Sequence, residues 1–124
     1  MRIASGGPWE DVVGYSRAVV AGPWILVAGT TSTVDGQVAH VGDAHAQTRT
    51  AFEIALAAVR EAGADVGDVV RTRMYVLSMA DQADVGRAHR ELFGEVRPVA
   101  TMVAVAGLAH PDHLVEVELT AYRP

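Results

Sequence analysis

Runs of β-branched residues alternate with alanine-rich stretches of helical periodicity in these 124 residues, a mixture that predicts an α+β fold: a mixed β-sheet with two helices packed on one face. Three patterns carry this prediction. Two β-rich runs flank Gly22-Pro23, an apolar stripe at three-and-four spacing extends from Thr48 to Ala62, and two strand-like runs, Arg97 to Val105 and Leu114 to Tyr122, stand near the end. The order is strands, helix, strand, helix, strands.

Arg2 to Ala4 suits a short first strand, and the turn cluster Ser5-Gly6-Gly7-Pro8 stops it. Trp9 to Tyr15 has no decisive pattern. Arg17 to Ala21 and Trp24 to Thr30 form a hairpin through Gly22-Pro23, with Trp24 as a core or interface aromatic, and Asp35-Gly36 marks a further turn. Asp43 is placed to cap a helix that runs to about Ala62 and stops at Gly63. Its buried stripe is Thr48, Ala51, Phe52, Ala55, Leu56, Ala58, Val59 and Ala62; Gln47, Arg49, Glu53 and Arg60 fall off it and are expected in solvent. Along Val69 to Leu77, the parity of Val70, Thr72, Met74 and Val76 faces the helices, with Arg71, Arg73 and Tyr75 opposite. Ser78 to Asp81 has the form of a capping box for a second helix, with Val85, Ala88 and Leu92 inward and Gly94 as its stop. In the last strand Glu116 and Glu118 share one face.

A chain with 50% hydrophobic and 20% charged residues is ordinary for a globular protein, and this length suits one domain over 1–124. No basic segment leads into an apolar run, and no stretch nears the ~18 apolar residues of a membrane span, so a cytoplasmic protein without a membrane partner is expected. The net charge of −5 disfavours nucleic acid, whose binding depends on basic residues displacing counterions. There is no cysteine, and all ten basic residues are arginines, which excludes thiolate nucleophiles and lysine Schiff bases. His110, Asp112 and His113 cluster in a turn at a spacing unlike a helical zinc pair; they are expected in solvent, with no metal and no cofactor. His40, His45 and His89 are isolated, and His89 suits helix packing.

The strand Arg97 to Val105, the short loop and the closing Val115-Glu116-Val117-Glu118 resemble the carboxyl-terminal signature of the RidA/YjgF family of enamine and imine deaminases. Gly14 to Val19, Val27 to Thr30 and the long match Glu61 to Val76 extend the resemblance over nearly the whole chain. It implies a chorismate-mutase-like/YjgF fold, homotrimers whose sheets line a central barrel, and ligand clefts between adjacent subunits. It also implies that Glu116 positions the water that attacks the imine, and that the Tyr15 hydroxyl and the backbone near Gly29 and Thr30 face the ligand. The family's carboxylate-binding arginine is absent: Ala100 stands in its place, with Met102 and Ala104 where cysteine and glutamate are common.

A guanidinium fork recognises a carboxylate through two parallel charge-assisted bonds, and alanine supplies neither charge nor donor. An ordinary α-imino acid is therefore disfavoured as substrate. Arg73 is one candidate replacement, since its parity is expected to point to the same side as Ala100 and Glu116; the alternative is an ion pair with Glu116 or Glu118. The uncovered, half-apolar sheet face independently favours oligomerisation. The expected function is hydrolysis of an imine, enamine or related reactive small molecule, with Glu116 as the base and Tyr15, Gly29, Thr30, Arg73, Ala100 and Met102 around the ligand. The alternatives are a trimer that binds a metabolite in the same cleft without turnover, and a trimer that serves as partner to another enzyme.

Overall fold

The structure is a computed structural model that describes residues 1–124. In chain order the elements are β1 (Arg2–Ile3), α1 (Pro8–Val13), β2 (Ala18–Ala21), β3 (Trp24–Thr30), β4 (Thr33–Val34), β5 (Gln37–Val38), α2 (Ala44–Glu61), β6 (Val69–Val76), α3 (Gln82–Phe93), β7 (Val99–Ala104) and β8 (Val115–Tyr122). Six strands form one sheet in the order β1-β2-β3-β8-β6-β7, and β4 pairs with β5 in a separate hairpin. The β6–β7 pair is parallel and the other pairs are antiparallel, so the sheet is mixed as the sequence predicts.

Alternation in the central strands divides the sheet into a covered and an open face. On β8, Val115, Val117, Leu119 and Ala121 are buried beneath the helix layer, while Glu116, Glu118 and Thr120 lie on the other side. The expected stripe of α2 is buried from Thr48 to Val59, Asp43 caps the helix by accepting from the Ala46 N–H at 3.0 Å, and Gly63 follows in the left-handed region at φ 93°. Phe52 and Phe93 meet edge to face at 5.0 Å between ring centres, which joins α2 to α3. No helix is long and apolar enough to cross a membrane.

Several local expectations are corrected. A third helix, α1, occupies most of the ambiguous stretch, with Pro8 in its first turn and Gly14 ending it at φ 88°. Val70 is 40% exposed, because a bulge between Val69 and Arg71 hands the inward place to Val69. Ser78 to Asp81 does not box α3: the Ser78 hydroxyl accepts from the Ala80 N–H in a short 3-10 turn, and Asp81 makes no side-chain cap. Arg97, expected in a strand, takes φ 56°, and β7 begins at Val99.

Gln47 and His113 are buried rather than solvated. The Gln47 amide donates to the carbonyls of His40 (3.1 Å) and Asp112 (2.9 Å) and accepts from the Leu114 N–H (2.8 Å). By tying the loop before β8 to α2, it carries His113 inward to 3% exposure, with Nε2 at 3.2 Å from the Thr33 hydroxyl. His110 stays exposed. Helical periodicity does not reveal such a residue, because its polar partners come from loops distant in sequence.

Replacing Gln47 with Leu would leave one buried N–H and two carbonyls without that partner. At roughly 1–3 kcal/mol per buried unsatisfied group, the expected loss exceeds about 2 kcal/mol. Urea unfolding checks it as a lowered midpoint with an unchanged slope.

Candidate active site

Residues Val27 and Thr30 of β3 pair with Leu119 and Val117 of β8, so Ala28 and Gly29 together occupy the space opposite the single intervening Glu118. This bulge kinks β3 and brings Gly29 against Glu116. A Cβ on residue 29 would overlap the Glu116 carboxylate, so the carboxylate keeps this position only opposite a glycine. Thr30, also expected at the site, is buried with its hydroxyl donating to the Ala28 carbonyl at 2.8 Å, so it offers backbone rather than side chain.

Burial is the largest influence on Glu116 and pushes its pKa up. The Arg17 charge opposes that shift and the neighbouring Glu118 adds to it. A half-buried carboxyl with raised proton affinity is suited to take a proton from water. Tyr15 and Arg17 approach from the segment between α1 and β2, with the Arg17 guanidinium 5.9 Å from the centre of the Tyr15 ring. Arg17 Nη2 donates to the Gly29 carbonyl at 2.8 Å. Tyr15, Arg17, Gly29 and Glu116 thus form a connected group.

Arg73 lies on the open face, where its Nη1 meets Glu118 at 3.3 Å; the Tyr75 hydroxyl donates to the same carboxylate. The ion-pair alternative is the arrangement present. Ala100 and Met102 require a correction of side. Both are in register with residues of the covered face, Ala100 with Thr72 and Met102 with Met74, whereas Glu116 is in register with Tyr75 on the open face. Within one chain they therefore do not share a face with Glu116 or Arg73. Arg17 was missed because its partner Gly29 is 12 residues away across a bulge that strand periodicity does not show. Its one sequence signal is a cationic side chain two residues after Tyr15, just where a strand begins.

Two depressions lie away from this group: one of about 280 Å³ is lined by Trp24, Val70, Arg71, Val99 and Thr120, and one of about 370 Å³ lies beside His89 and Arg97. No group of three or more His, Asp or Glu residues is arranged to hold a metal.

The family described as Endoribonuclease L-PSP, also called YjgF/RidA, matches residues 9–123. The chain belongs to this family. Its fold is that of Rv2704 from Mycobacterium tuberculosis, a YjgF/YER057c/UK114 family member: the TM-score is 0.89 at 45% identity, and 98% of each chain is covered. An uncharacterized Streptomyces coelicolor protein is 44% identical over 98% of this chain and 91% of its own length. The 3-aminoacrylate deaminase RutC of Acinetobacter baylyi is 35% identical over 87% of this chain and 86% of its own.

The raised pKa of Glu116 in this YjgF/RidA protein fixes the sign of a pH effect. Because its folded-state pKa lies above the ordinary 4.5, its contribution to stability is present below that value and lost as pH rises through the folded pKa. Glu116→Gln should therefore raise the melting temperature at pH 7. The gain should shrink to nothing as pH falls below the ordinary carboxylate range, and thermal melts of both proteins from pH 4 to 8 check this.

Proposed function

We propose that this YjgF/RidA protein hydrolyses a small imine, enamine or related reactive metabolite in a cleft completed by a neighbouring subunit. The observation that carries this is the seat of Glu116: half-buried, against the Cβ-less backbone of Gly29, with raised proton affinity and no ion-pair partner. Water held by Glu116 attacks the C=N carbon as the carboxylate takes its proton. Protonated Glu116 then gives the proton to the carbinolamine nitrogen, and as the C–N bond breaks and ammonia leaves, the hydroxyl proton passes to the carboxylate and the carbonyl forms. An enamine enters the same path after protonation at carbon. The RutC deaminase relative supports this class of chemistry.

A homotrimer with its cleft between subunits accounts for two features. The open sheet face exposes Trp24 (45%), Leu26 (47%), Val99 (60%), Val103 and Tyr122, an apolar surface suited to burial against further copies. Ala100 and Met102 face away from Glu116 within one chain but sit on the edge strand β7, so they can join the cleft when a second subunit supplies them. With Ala100 in place of an arginine, the ligand is not an ordinary α-imino acid held by a fork on β7. The partners are a small molecule and further copies of the chain. Nucleic acid, disfavoured by the net charge of −5, and membrane are not among them, and the working location is the cytoplasm.

Sedimentation at micromolar concentration should give the mass of a trimer, and a folded monomer there would sink the intersubunit cleft. Glu116→Gln should lower ammonia release from a carboxylate-free imine generated in place by an amine oxidase by about 10²-fold or more, with ligand affinity retained. Equal turnover in both proteins would remove Glu116 as the base. Ligand binding without turnover in either would favour the non-catalytic metabolite-binding trimer.

A further inference from the structure

We propose that Arg17 is a positioning residue for Glu116: its hydrogen bond to the Gly29 carbonyl pins the β3 bulge that seats the carboxylate, while its guanidinium forms no ion pair. The part this plays in catalysis rests on the hydrolase reading above.

Arg17 lies in the field of two carboxylates, Glu10 and Glu116, and forms an ion pair with neither. Glu10 is already committed. It is buried in α1 and accepts from the Ser5 N–H (3.1 Å), the Gly7 N–H (3.3 Å) and the Ser5 hydroxyl. Arg17 instead donates from Nη2 to Gly29 at 2.8 Å, while its Nε is buried without an acceptor. A guanidinium with five donors ordinarily meets a carboxylate in a fork; here its observed bond goes to the backbone of the bulge. That bond leaves the Glu116 oxygens free of an arginine partner and fixes the one residue that must lack a Cβ for Glu116 to lie where it does.

The charged and titratable groups around Glu116 single out Arg17 as the cation that opposes its burial. Glu118 stands on the same strand, and Tyr75 and Arg73 come from β6. Arg73 is already paired with Glu118, and Tyr75 donates to Glu118. Arg17 therefore lowers a proton affinity that burial and Glu118 raise. Its removal should raise the Glu116 pKa further, and a lysine should restore the charge without the planar reach to Gly29.

The test follows the Glu116 side-chain carboxyl carbon by NMR titration in the full chain, for the unmodified protein, Arg17→Gln and Arg17→Lys. This readout does not depend on turnover. The expected result is a higher titration midpoint in Arg17→Gln and a midpoint near the unmodified one in Arg17→Lys. The acid limb of the kcat/KM profile of Arg17→Gln should move in the same direction, and kcat should fall by roughly ten- to a hundredfold in both variants as the bulge loosens. An unchanged midpoint in Arg17→Gln overturns the proposal. So does a loss confined to KM for anionic substrates with an unmoved pH profile, which would make Arg17 a reader of substrate charge. If Arg17→Gln fails to fold, an Arg17→Lys protein with an unmoved kcat overturns it equally. A shifted midpoint in a protein without turnover supports the coupling of Arg17 to Glu116 and defeats the hydrolase reading alone.

Discussion

The Glu116 carboxylate can lie against the sheet only because residue 29 has no Cβ, and residue 29 reaches it only because β3 is bulged at Ala28-Gly29. An unbroken ladder would place one residue opposite Glu118 and leave β3 straight. The extra residue bends the strand and brings backbone rather than side chain against the carboxyl, which loses water on that side without gaining a partner charge. Arg17 and Tyr15 gather on this bend, and the hydroxyl of Thr30 closes back on Ala28.

The same strand that carries Glu116 also carries the core. On β8 one parity is buried under α2 and the other holds Glu116, Glu118 and Thr120, so a slip of one residue would put carboxylates into the helix layer and leucine and valine on the open face. Fold and site are thereby specified together. The open face keeps its charges organised through Arg73, Tyr75 and Glu118, while Trp24 and Tyr122 pack edge to face at 4.8 Å in the apolar part of that surface.

Buried polar contacts decide how the loops lie. Gln47 holds the segment before β8 to α2, and the left-handed pair Asp35 (φ 52°) and Gly36 (φ 76°) closes the β4–β5 hairpin beneath which His113 comes to rest. On the helix side His89 meets the Thr72 hydroxyl at 2.8 Å and packs against Phe52 and Phe93, and burial pushes its pKa down. A neutral ring satisfied in this way is a packing element.

By itself the sequence determined the mixed sheet, the helix α2 with its Asp43 cap, the buried stripes of α2 and α3, the parity of β8 and the family, because each is written in local periodicity or in contiguous motifs. Tyr15, Gly29 and Glu116 were legible as candidates through the motifs that contain them. Tertiary structure alone decided that Gly29 touches Glu116, that Arg17 joins them, that Arg73 turns to Glu118, and that Ala100 and Met102 lie on the opposite side of the sheet from Glu116. These depend on strand register and on the bulges in β3 and β6, where one inserted residue reverses the side on which the following side chains stand, and no count of alternating residues along a single strand contains that reversal.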